Sequence, residues 1–252
     1  MKVLATYNIK GGVGKTSAAV NLSYLAACDG YRTLLWDLDP QAAASFCFRV
    51  KPKIKGGVKS LGKKTSSLGE FIKGTDFEGL DLVPADYSLR SFDQIFADTK
   101  GKSKQLARAL SPLQSEYDLL IIDCAPGISL MTENIFHVAD ALLIPVIPST
   151  LSVRTYHQII DYFSKCQFNS PLRLPFFSMY DAKRVLQQDI VAAMSSNVKE
   201  MLNTEIPYAK NIELMAEKRL PVSTFAPASK SGQAYRNLWR EIKVRALDDY
   251  SL

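Results

Sequence analysis

A glycine-rich segment near the start of the chain carries two lysines and two hydroxyl residues, Lys10-Gly11-Gly12-Val13-Gly14-Lys15-Thr16-Ser17. Glycines let the backbone turn tightly and approach an anion, and the N-terminus of a following helix adds unpaired N–H groups and a positive dipole end. We therefore expect Lys15 to reach the terminal phosphates of a nucleotide and the Thr16 hydroxyl to hold Mg²⁺. The simpler alternative is a glycine-rich turn beside a lysine.

Aspartates follow two apolar segments farther along the chain. Asp37 and Asp39 come after Tyr31–Trp36, and Asp123 comes after Leu119–Ile122. Residues at the carboxyl ends of parallel strands line the crevice in which α/β proteins bind ligands. Carboxylates beside a phosphate-binding loop suit Mg²⁺ and water chemistry, and Asp123 matches the Walker B arrangement that orients Mg²⁺. The alternatives are a turn at the Asp-Pro step and a helix cap at Asp123.

Strand-like and helix-like segments alternate along the chain. This alternation predicts an α/β fold, a mostly parallel β-sheet flanked by helices on both faces. A chain of 252 residues is long enough for one such domain, so we expect residues 1–252 to form a single domain. The predicted strands are 3–7, 31–36, 80–84, 119–122, 139–146 and 172–179. The predicted helices are 17–26, 88–97, 102–113, 152–165, 184–202 and 233–246.

Composition and charge narrow the class of protein. The net charge of +6 favours an anionic partner without identifying one. The four cysteines form no C-x-x-C pair, which argues against metal and redox motifs and favours reduced cytosolic thiols. No apolar segment has the length of a transmembrane helix, and the first strand leads into the glycine-rich segment without room for a signal peptide. We therefore expect a cytoplasmic protein.

The glycine-rich segment departs from the common P-loop at its first position. The common pattern starts with a glycine six residues before its lysine, whereas Ile9 occupies that place here and Lys10 follows it. This form, K-G-G-x-G-K-S/T, is the deviant Walker A motif, and it resembles the ParA/MinD family of dimerising ATPases. The segments D-x-D-P-Q at 37–41 and D-x-x-P-G at 123–127 resemble the same family. Weaker similarities at 139–146, 179–184, 205–207 and 221–232 extend the resemblance over nearly the whole chain.

The resemblance implies ATP as the nucleotide, Mg²⁺ as the metal and specific roles for several residues. Lys10 would reach across a dimer interface to the nucleotide of the partner subunit, and Asp39 would position the attacking water. Gly127 would lie close to the γ-phosphate, and Pro207 would pack against the adenine base. The predicted catalytic residues are Lys10, Lys15 and Asp39; the predicted metal residues are Thr16, Asp39 and Asp123; the predicted ATP-binding residues are Lys10, Gly11, Gly12, Val13, Gly14, Lys15, Thr16, Ser17 and Pro207.

The resemblance also implies a function, in which ATP holds two subunits face to face and hydrolysis releases them. The ATP-bound homodimer would coat nucleoid DNA without sequence preference. A ParB-like or cargo-adaptor protein would stimulate hydrolysis and so position a plasmid, a chromosome origin or a protein assembly. No stable membrane insertion is expected. The predicted DNA contacts are basic residues near the C-terminus, namely Lys210, Lys218, Arg219, Arg236, Arg240 and Lys243, with Arg245 close by.

A second basic segment covers residues 49–64 and contains no acidic residue. Its glycines and proline predict an exposed loop. Such a run of charge is either solvated or in contact with nucleic acid or an acidic partner. The lysines and arginine of this segment are Arg49, Lys51, Lys53, Lys55, Lys59, Lys63 and Lys64.

Two other functions share the deviant P-loop. A MinD-like switch on a membrane surface needs a C-terminal amphipathic helix, whereas residues 246–252 are short and acidic here. An electron-transfer ATPase of the nitrogenase iron-protein type needs cysteines that bridge subunits, and Cys124, directly after Asp123, is poorly placed for a cluster ligand. Liposome co-sedimentation tests the first alternative, and the colour of the purified protein tests the second.

Overall fold

The computed structural model of the protein describes residues 1–54, 56–57, 59, 68–97, 104–165 and 171–247. The predicted basic segment 49–64 and the predicted helix 102–113 lie partly outside the described residues. Cys166 and the C-terminal residues 248–252 lie wholly outside them.

An eight-stranded β-sheet forms the centre of the protein. Its strands are β1 (Lys2–Thr6), β2 (Thr33–Asp37), β3 (Lys73–Gly74), β4 (Leu80–Val83), β5 (Leu119–Asp123), β6 (Ala141–Val146), β7 (Leu172–Tyr180) and β8 (Glu205–Pro207). They are hydrogen-bonded in the order β3-β4-β2-β5-β1-β6-β7-β8, and all neighbours run parallel except β3 and β4. All strands but β3 therefore end at the same side of the sheet, which we call the carboxyl edge.

The described residues contain ten α-helices, of which the last three follow the final strand β8. Short 3₁₀ turns at Leu68–Phe71, Tyr87–Ser91 and Ser111–Leu113 and a π-helical turn at Lys243–Leu247 add to them. The α-helices are α1 (Lys15–Cys28), α2 (Ala43–Cys47), α3 (Phe92–Phe96), α4 (Gln105–Leu110), α5 (Leu130–Val138), α6 (Thr150–Lys165), α7 (Val185–Asn197), α8 (Lys210–Lys218), α9 (Val222–Phe225) and α10 (Lys230–Ile242).

Helices cover both faces of the sheet, and each face has its own apolar core. Successive side chains of β5 alternate between the two cores, so Leu120 packs on one face and Ile121 on the other. Helices α4, α5 and α6 cover the first face, and α1 and α10 cover the second. Because both faces are buried, the central strands are continuous apolar runs. The predicted α/β fold class is confirmed.

Several predicted helix boundaries differ from the structure. The predicted helix 184–202 ends at Asn197, since Val198 is extended and the Leu202 N–H donates to the Pro175 carbonyl at 2.8 Å. The predicted helix 88–97 is a 3₁₀ turn followed by the short α3. The last helix begins at Lys230 rather than 233, because the Ser229 hydroxyl caps the Gly232 N–H at 3.1 Å.

The sequence interpretation gave bounds for none of the helices α2, α5, α8 and α9, nor for the short strands β3 and β8. The helix α2 has five residues, too few to display an apolar period of 3.6. The helix α8 has nine residues, and only Met215 among them is fully buried. Both helices lie on the face of α1, and α2 packs against α8.

The described part of the basic segment 49–64 is anchored rather than fully exposed. Ile54 is buried in the first core, and its N–H donates to Asp86 Oδ2 at 2.9 Å. The side chains of Lys51, Lys53 and Lys59 are exposed, as predicted. Among the helices of the described chain, none combines the length and apolar composition that a bilayer crossing requires.

Candidate functional site

The glycine-rich loop joins the end of β1 to the start of α1. Gly12 and Gly14 have φ values of 70° and 95°, in the left-handed region that favours glycine. A Cβ atom on Gly14 would lie 2.6 Å from the Ser178 hydroxyl oxygen at the end of β7. Backbone conformation and close approach therefore both require glycine at position 14. The N-terminal N–H groups of α1 face the same loop, as a phosphate site needs.

Lys15 is the first residue of α1, and its side chain is almost fully buried. Its ammonium donates to the Lys10 carbonyl at 3.0 Å, so the loop itself holds the charge. Burial lowers the pKa of Lys15, and the nearby Asp123, Cys124 and Asp39 oppose that shift. A buried ammonium gains strongly from an anionic partner, which is what a phosphate would supply.

Asp123 lies at the end of β5, directly beside β1 and β2. Its side chain is fully buried, and Oδ1 accepts from the Thr6 hydroxyl at 3.3 Å. The nearby Thr16 hydroxyl lowers the pKa of the carboxyl. The other oxygen, Oδ2, is buried and has no hydrogen-bond partner among the described residues. Burial and then the charge of Asp37 raise the pKa of Asp123 well above its usual value. A carboxylate with an unpartnered buried oxygen and a neighbouring hydroxyl fits a divalent cation.

Asp37 is a site residue to which the sequence interpretation gave no separate role. It is the β2 residue paired in register with Asp123, and it is fully buried. Its Oδ2 accepts from the Ser45 N–H at 2.8 Å and the Ser45 hydroxyl at 2.7 Å, and Oδ1 accepts from the Asp39 N–H at 3.2 Å. Burial raises the pKa of Asp37 to about 6. Asp37 thus holds the turn that carries Asp39, and its position in the D-x-D-P-Q motif was the signal available.

Asp39 lies where the turn after β2 reaches the glycine-rich loop. Its carboxylate Oδ1 accepts from the Gln41 N–H at 2.9 Å, and the side chain is only partly buried. A cavity of about 380 Å³ opens between this turn and the loop. A larger groove of about 550 Å³, near Tyr24 and Phe77, contains none of the predicted site residues. The site cavity is lined by Gly11, Gly12, Val13, Gly14, Lys15, Thr16, Ser17, Asp39, Gln41, Pro126 and Met179.

The side chain of Lys10 contacts a residue of its own chain. Its ammonium donates to the Ser152 hydroxyl of α6 at 3.4 Å, and its N–H donates to Asn8 Oδ1 at 2.9 Å. Asn8 Nδ2 in turn donates to the Pro145 carbonyl at 2.8 Å. The backbone of Lys10 is thus fixed by β6, while its side chain is only partly buried. The contact of Lys10 with a partner subunit stays a prediction.

Pro207 lies at the end of β8, on the same edge of the sheet as the loop. It does not line the 380 Å³ cavity, which Met179 closes on that side. The packing of Pro207 against adenine therefore stays a prediction.

The predicted DNA contacts differ in their surroundings. Arg219 stacks on the Phe46 ring at 4.5 Å and donates to the Phe46 carbonyl at 2.9 Å, which ties it to α2. Lys243 pairs with Asp29 at the end of α1, and Arg240 donates to Asn237 at 2.9 Å. Lys210, Lys218 and Arg240 are exposed, and Arg236 is partly buried.

Glu241 does not neutralise the arginines of α10. Its carboxylate accepts instead from the N–H and side-chain amide of Asn203 and from the Thr204 N–H, at 2.6 to 3.0 Å. Within the described chain, neither arginine of α10, Arg236 or Arg240, forms an ion pair. This leaves the DNA prediction possible in electrostatic terms but does not test it.

Comparison with known proteins gives a consistent group of relatives. A family model described as an AAA domain matches residues 1–174. The chain is 27% identical over 249 residues to the chromosome-partitioning ATPase Soj of Treponema pallidum, covering 97% of this chain and 98% of that protein.

Solved structures share the whole fold. A variant of McdA from Cyanothece in complex with ATP has a TM-score of 0.83 at 21% identity, covering 96% of each chain, and shows the fold alone. Cobyrinic acid a,c-diamide synthase from Mycobacterium smegmatis, with bound ATP analogue and magnesium, has a TM-score of 0.80 at 27% identity. That match covers 95% of this chain and 93% of the other.

Proposed function

The chain belongs to the AAA-domain family and, with Soj and ParA as relatives, to the ParA/MinD ATPases that carry the deviant Walker A motif; on this premise we propose that it hydrolyses ATP with Mg²⁺ and uses the nucleotide to switch between a monomer and a dimer. The dimer would bind DNA without sequence preference. A partner protein would stimulate hydrolysis and release the dimer.

The observation that carries the proposal is that Lys15, Thr16 and Asp39 line one cavity, while Asp123 is buried close to all three. The ammonium of Lys15 is held at the loop, and the hydroxyl of Thr16 lies near the Asp123 carboxylate. Bound Mg²⁺ would neutralise charge on the phosphate oxygens. The buried, unpartnered Oδ2 of Asp123 and the Thr16 hydroxyl would hold it, with phosphate and water completing its coordination.

Asp39 would orient the attacking water from the opposite side of the cavity. Its backbone is held by Asp37, and its carboxylate lies on the cavity surface rather than in the core. Phosphoryl transfer needs little more from a protein than positioning and charge stabilisation. Lys15 would therefore bind the phosphates and stabilise their charge, and Asp39 would act mainly on the rate of ATP hydrolysis.

The dimer is supported by the position of Lys10, directly before Gly11, which lines the same cavity. Its side chain is only partly buried and makes one long contact of 3.4 Å, to Ser152. A contact of this length is weak, so a phosphate of a second subunit's nucleotide would compete for the ammonium. ATP would thus join two subunits, with each Lys10 serving the site of the other.

The proposals of DNA binding and of partner-stimulated hydrolysis rest on the positive charge of the chain and on the proteins to which it is similar. The net charge is +6, and the helix α10 exposes arginine toward solvent. The Treponema pallidum relative bears the name chromosome-partitioning ATPase. We therefore propose a role in positioning DNA or another cargo, in the cytoplasm and on the nucleoid, with a ParB-like or adaptor protein as the activator.

The test measures both ATP hydrolysis and the oligomeric state of the protein. The wild-type protein should release phosphate from ATP only with Mg²⁺, and size-exclusion chromatography with a slowly hydrolysed ATP analogue should show a dimer. Lys10→Ala should bind nucleotide and remain a monomer. The control is Lys165→Ala, which removes a lysine at the C-terminal end of α6, the helix whose Ser152 contacts Lys10. This variant should dimerise normally. No phosphate release from wild type, or a normal dimer of Lys10→Ala, would contradict the proposal.

A further inference from the structure

The loop between β5 and α5 borders the nucleotide cavity. Pro126 of this loop lines the cavity opposite the glycine-rich loop. The C-terminal end of the loop is rigid, because Asp93 accepts from the Leu130 and Met131 N–H groups, both at 3.2 Å. Ser129 also caps α5 through the Thr132 N–H at 3.3 Å. The central residues, Pro126 to Ile128, need a separate support.

The carbonyl of Gly127 supplies this support. It accepts hydrogen bonds from the Tyr7 hydroxyl at 3.0 Å and from the Thr132 hydroxyl at 3.2 Å. Gly127 has a φ of 108°, which only glycine adopts without strain. The following peptide is trans, so the Ile128 N–H points away from Tyr7. Among the described residues nothing accepts a hydrogen bond from the Ile128 N–H. Two hydroxyls therefore set the orientation of the peptide beside the cavity.

Tyr7 is positioned firmly enough for this task. Its side chain is buried, and its ring packs edge-on against Phe136 of α5 at 4.9 Å. Burial raises the pKa of Tyr7 well above its usual value, so the hydroxyl remains a donor at neutral pH. The next residue, Asn8, holds the Lys10 N–H of the glycine-rich loop. Two consecutive residues after β1 thus support the two loops that border the nucleotide cavity. Tyr7 holds the loop after β5, and Asn8 holds the glycine-rich loop.

We propose that Tyr7 is a positioning residue of the ATPase site, whose hydroxyl holds the Gly127 carbonyl and so keeps the loop 125–128 in place for hydrolysis. This inference rests on the proposed function for its catalytic part. Tyr7 touches no cavity surface, so it contributes nothing directly to nucleotide affinity. Its hydroxyl affects the rate, because small displacements of a positioned group are costly in catalysis.

The first test is the variant Tyr7→Phe, which keeps the ring and removes only the hydroxyl. We expect kcat for ATP hydrolysis to fall about fivefold while the KM and the dissociation constant for ATP change less than about twofold. The control is Tyr162→Phe, which removes another hydroxyl near Phe136, one that donates to Glu133 rather than to the loop. An unchanged kcat for Tyr7→Phe, or an equal loss for Tyr162→Phe, would overturn the proposal.

The second test needs no hydrolysis. Amide hydrogen exchange of the nucleotide-free protein should be faster in a peptide covering residues 125–129 of Tyr7→Phe, and unchanged in Tyr162→Phe. If wild type hydrolyses no ATP, the proposed function fails, yet the exchange result still decides whether Tyr7 holds the loop. An increase in exchange that is confined to other regions, or that is even over the chain, would show that Tyr7 has only a structural role. Either result would overturn the proposal.

A double variant sharpens the assignment to one carbonyl. Thr132→Val keeps the shape of the side chain and removes the second donor to Gly127. Because both hydroxyls hold one acceptor, the effects of Tyr7→Phe and Thr132→Val on kcat should be non-additive in the double variant. Strictly additive effects on kcat would mean that the two hydroxyls act on different groups, and the proposal would fail.

Discussion

Charged side chains at the carboxyl edge of the sheet are held differently from those on the outer helices. At the edge, Lys15, Asp37 and Asp123 are at most 6% exposed, and each has hydrogen bonds to neighbouring groups. On the outer helices, Arg240 is exposed, and Lys243 pairs at the surface with Asp29. The first group is part of the core, whereas the second is largely in contact with water.

This difference sets how large an effect one substitution has. Buried charges interact in a medium of low effective dielectric constant, so the removal of one leaves its partners unpaired at high cost. Exposed charges are screened by water and salt, and each contributes little. The nucleotide site should therefore respond strongly to single changes, whereas a DNA-binding surface should respond by small steps that add.

The largest expected effect is that of Lys15→Ala. Loss of the buried ammonium should weaken ATP binding by about 2 to 5 kcal/mol, because the phosphates lose a charged partner inside the protein. Titration calorimetry with ATP and Mg²⁺ measures the change. Lys2→Ala, at the opposite end of β1, is the control and should bind normally. If Lys15→Ala kept the wild-type dissociation constant, the contrast between the buried and the exposed charges would lose its main support.

The next effect is that of Asp39→Ala. Hydrolysis should fall on the order of 100-fold, because the water loses its positioning carboxylate, while ATP still binds. Single-turnover phosphate release gives the rate, and a dimer should persist with ATP. Asp189→Ala, which changes an exposed aspartate on α7, is the control. Hydrolysis by Asp39→Ala at the wild-type rate would remove this residue from the mechanism.

A pH-dependent effect is expected at Asp37. Burial raises its pKa to about 6, whereas an aspartate in an unfolded chain titrates near 3.9. The folded protein therefore binds this proton more tightly, and the contribution to stability is full below about pH 4 and lost as the pH rises through about 6. A shift of about two units corresponds to about 3 kcal/mol.

The variant Asp37→Asn isolates this contribution. Urea unfolding of the metal-free protein should show that the difference in free energy of unfolding between wild type and variant changes between about pH 4 and pH 7. Wild type should lose stability relative to the variant as the pH rises. Asp189→Asn should give a difference that is constant with pH. If the difference for Asp37→Asn were also constant with pH, burial would not raise the pKa of the Asp37 carboxyl.

The smallest effect per residue is expected on the outer helices. Arg236→Glu together with Arg240→Glu should weaken binding of the ATP-bound protein to any duplex and reduce the slope of log affinity against log salt by about 0.9 for each lost phosphate contact. Hydrolysis without DNA should change little. Titrations of two unrelated sequences, with ATP and with ADP, measure both quantities.

The matched control lies on the other face of the sheet. Lys104→Glu with Arg108→Glu makes the same change of charge at α4, with Lys104 as its N-cap residue, and both residues are exposed. It should leave the salt slope as in wild type. Equal slopes for the two double variants would place the DNA surface elsewhere, and the basic segment 49–64 would be tested next.

The amino-acid sequence alone determined the chemistry that we predict for the site. The glycine-rich segment with Lys15 and Thr16 and the aspartates after two apolar strands were sufficient to predict a phosphate site on an α/β sheet. These features are local, because a turn, a helix start and a strand end are set by neighbouring residues. The parallel arrangement then brings the strand ends together by geometry alone.

Tertiary structure decided the features that depend on distant residues. Asp37 is held by Ser45, the Lys10 ammonium contacts Ser152 of α6, and the loop at Gly127 is held by Tyr7, which lies 120 residues away in sequence. Such contacts leave no periodic pattern, since each joins two side chains or a side chain and a carbonyl only after the sheet and its helices have packed. The sequence therefore determined which groups we expect to meet a phosphate, and the packed fold decided which groups hold them in position.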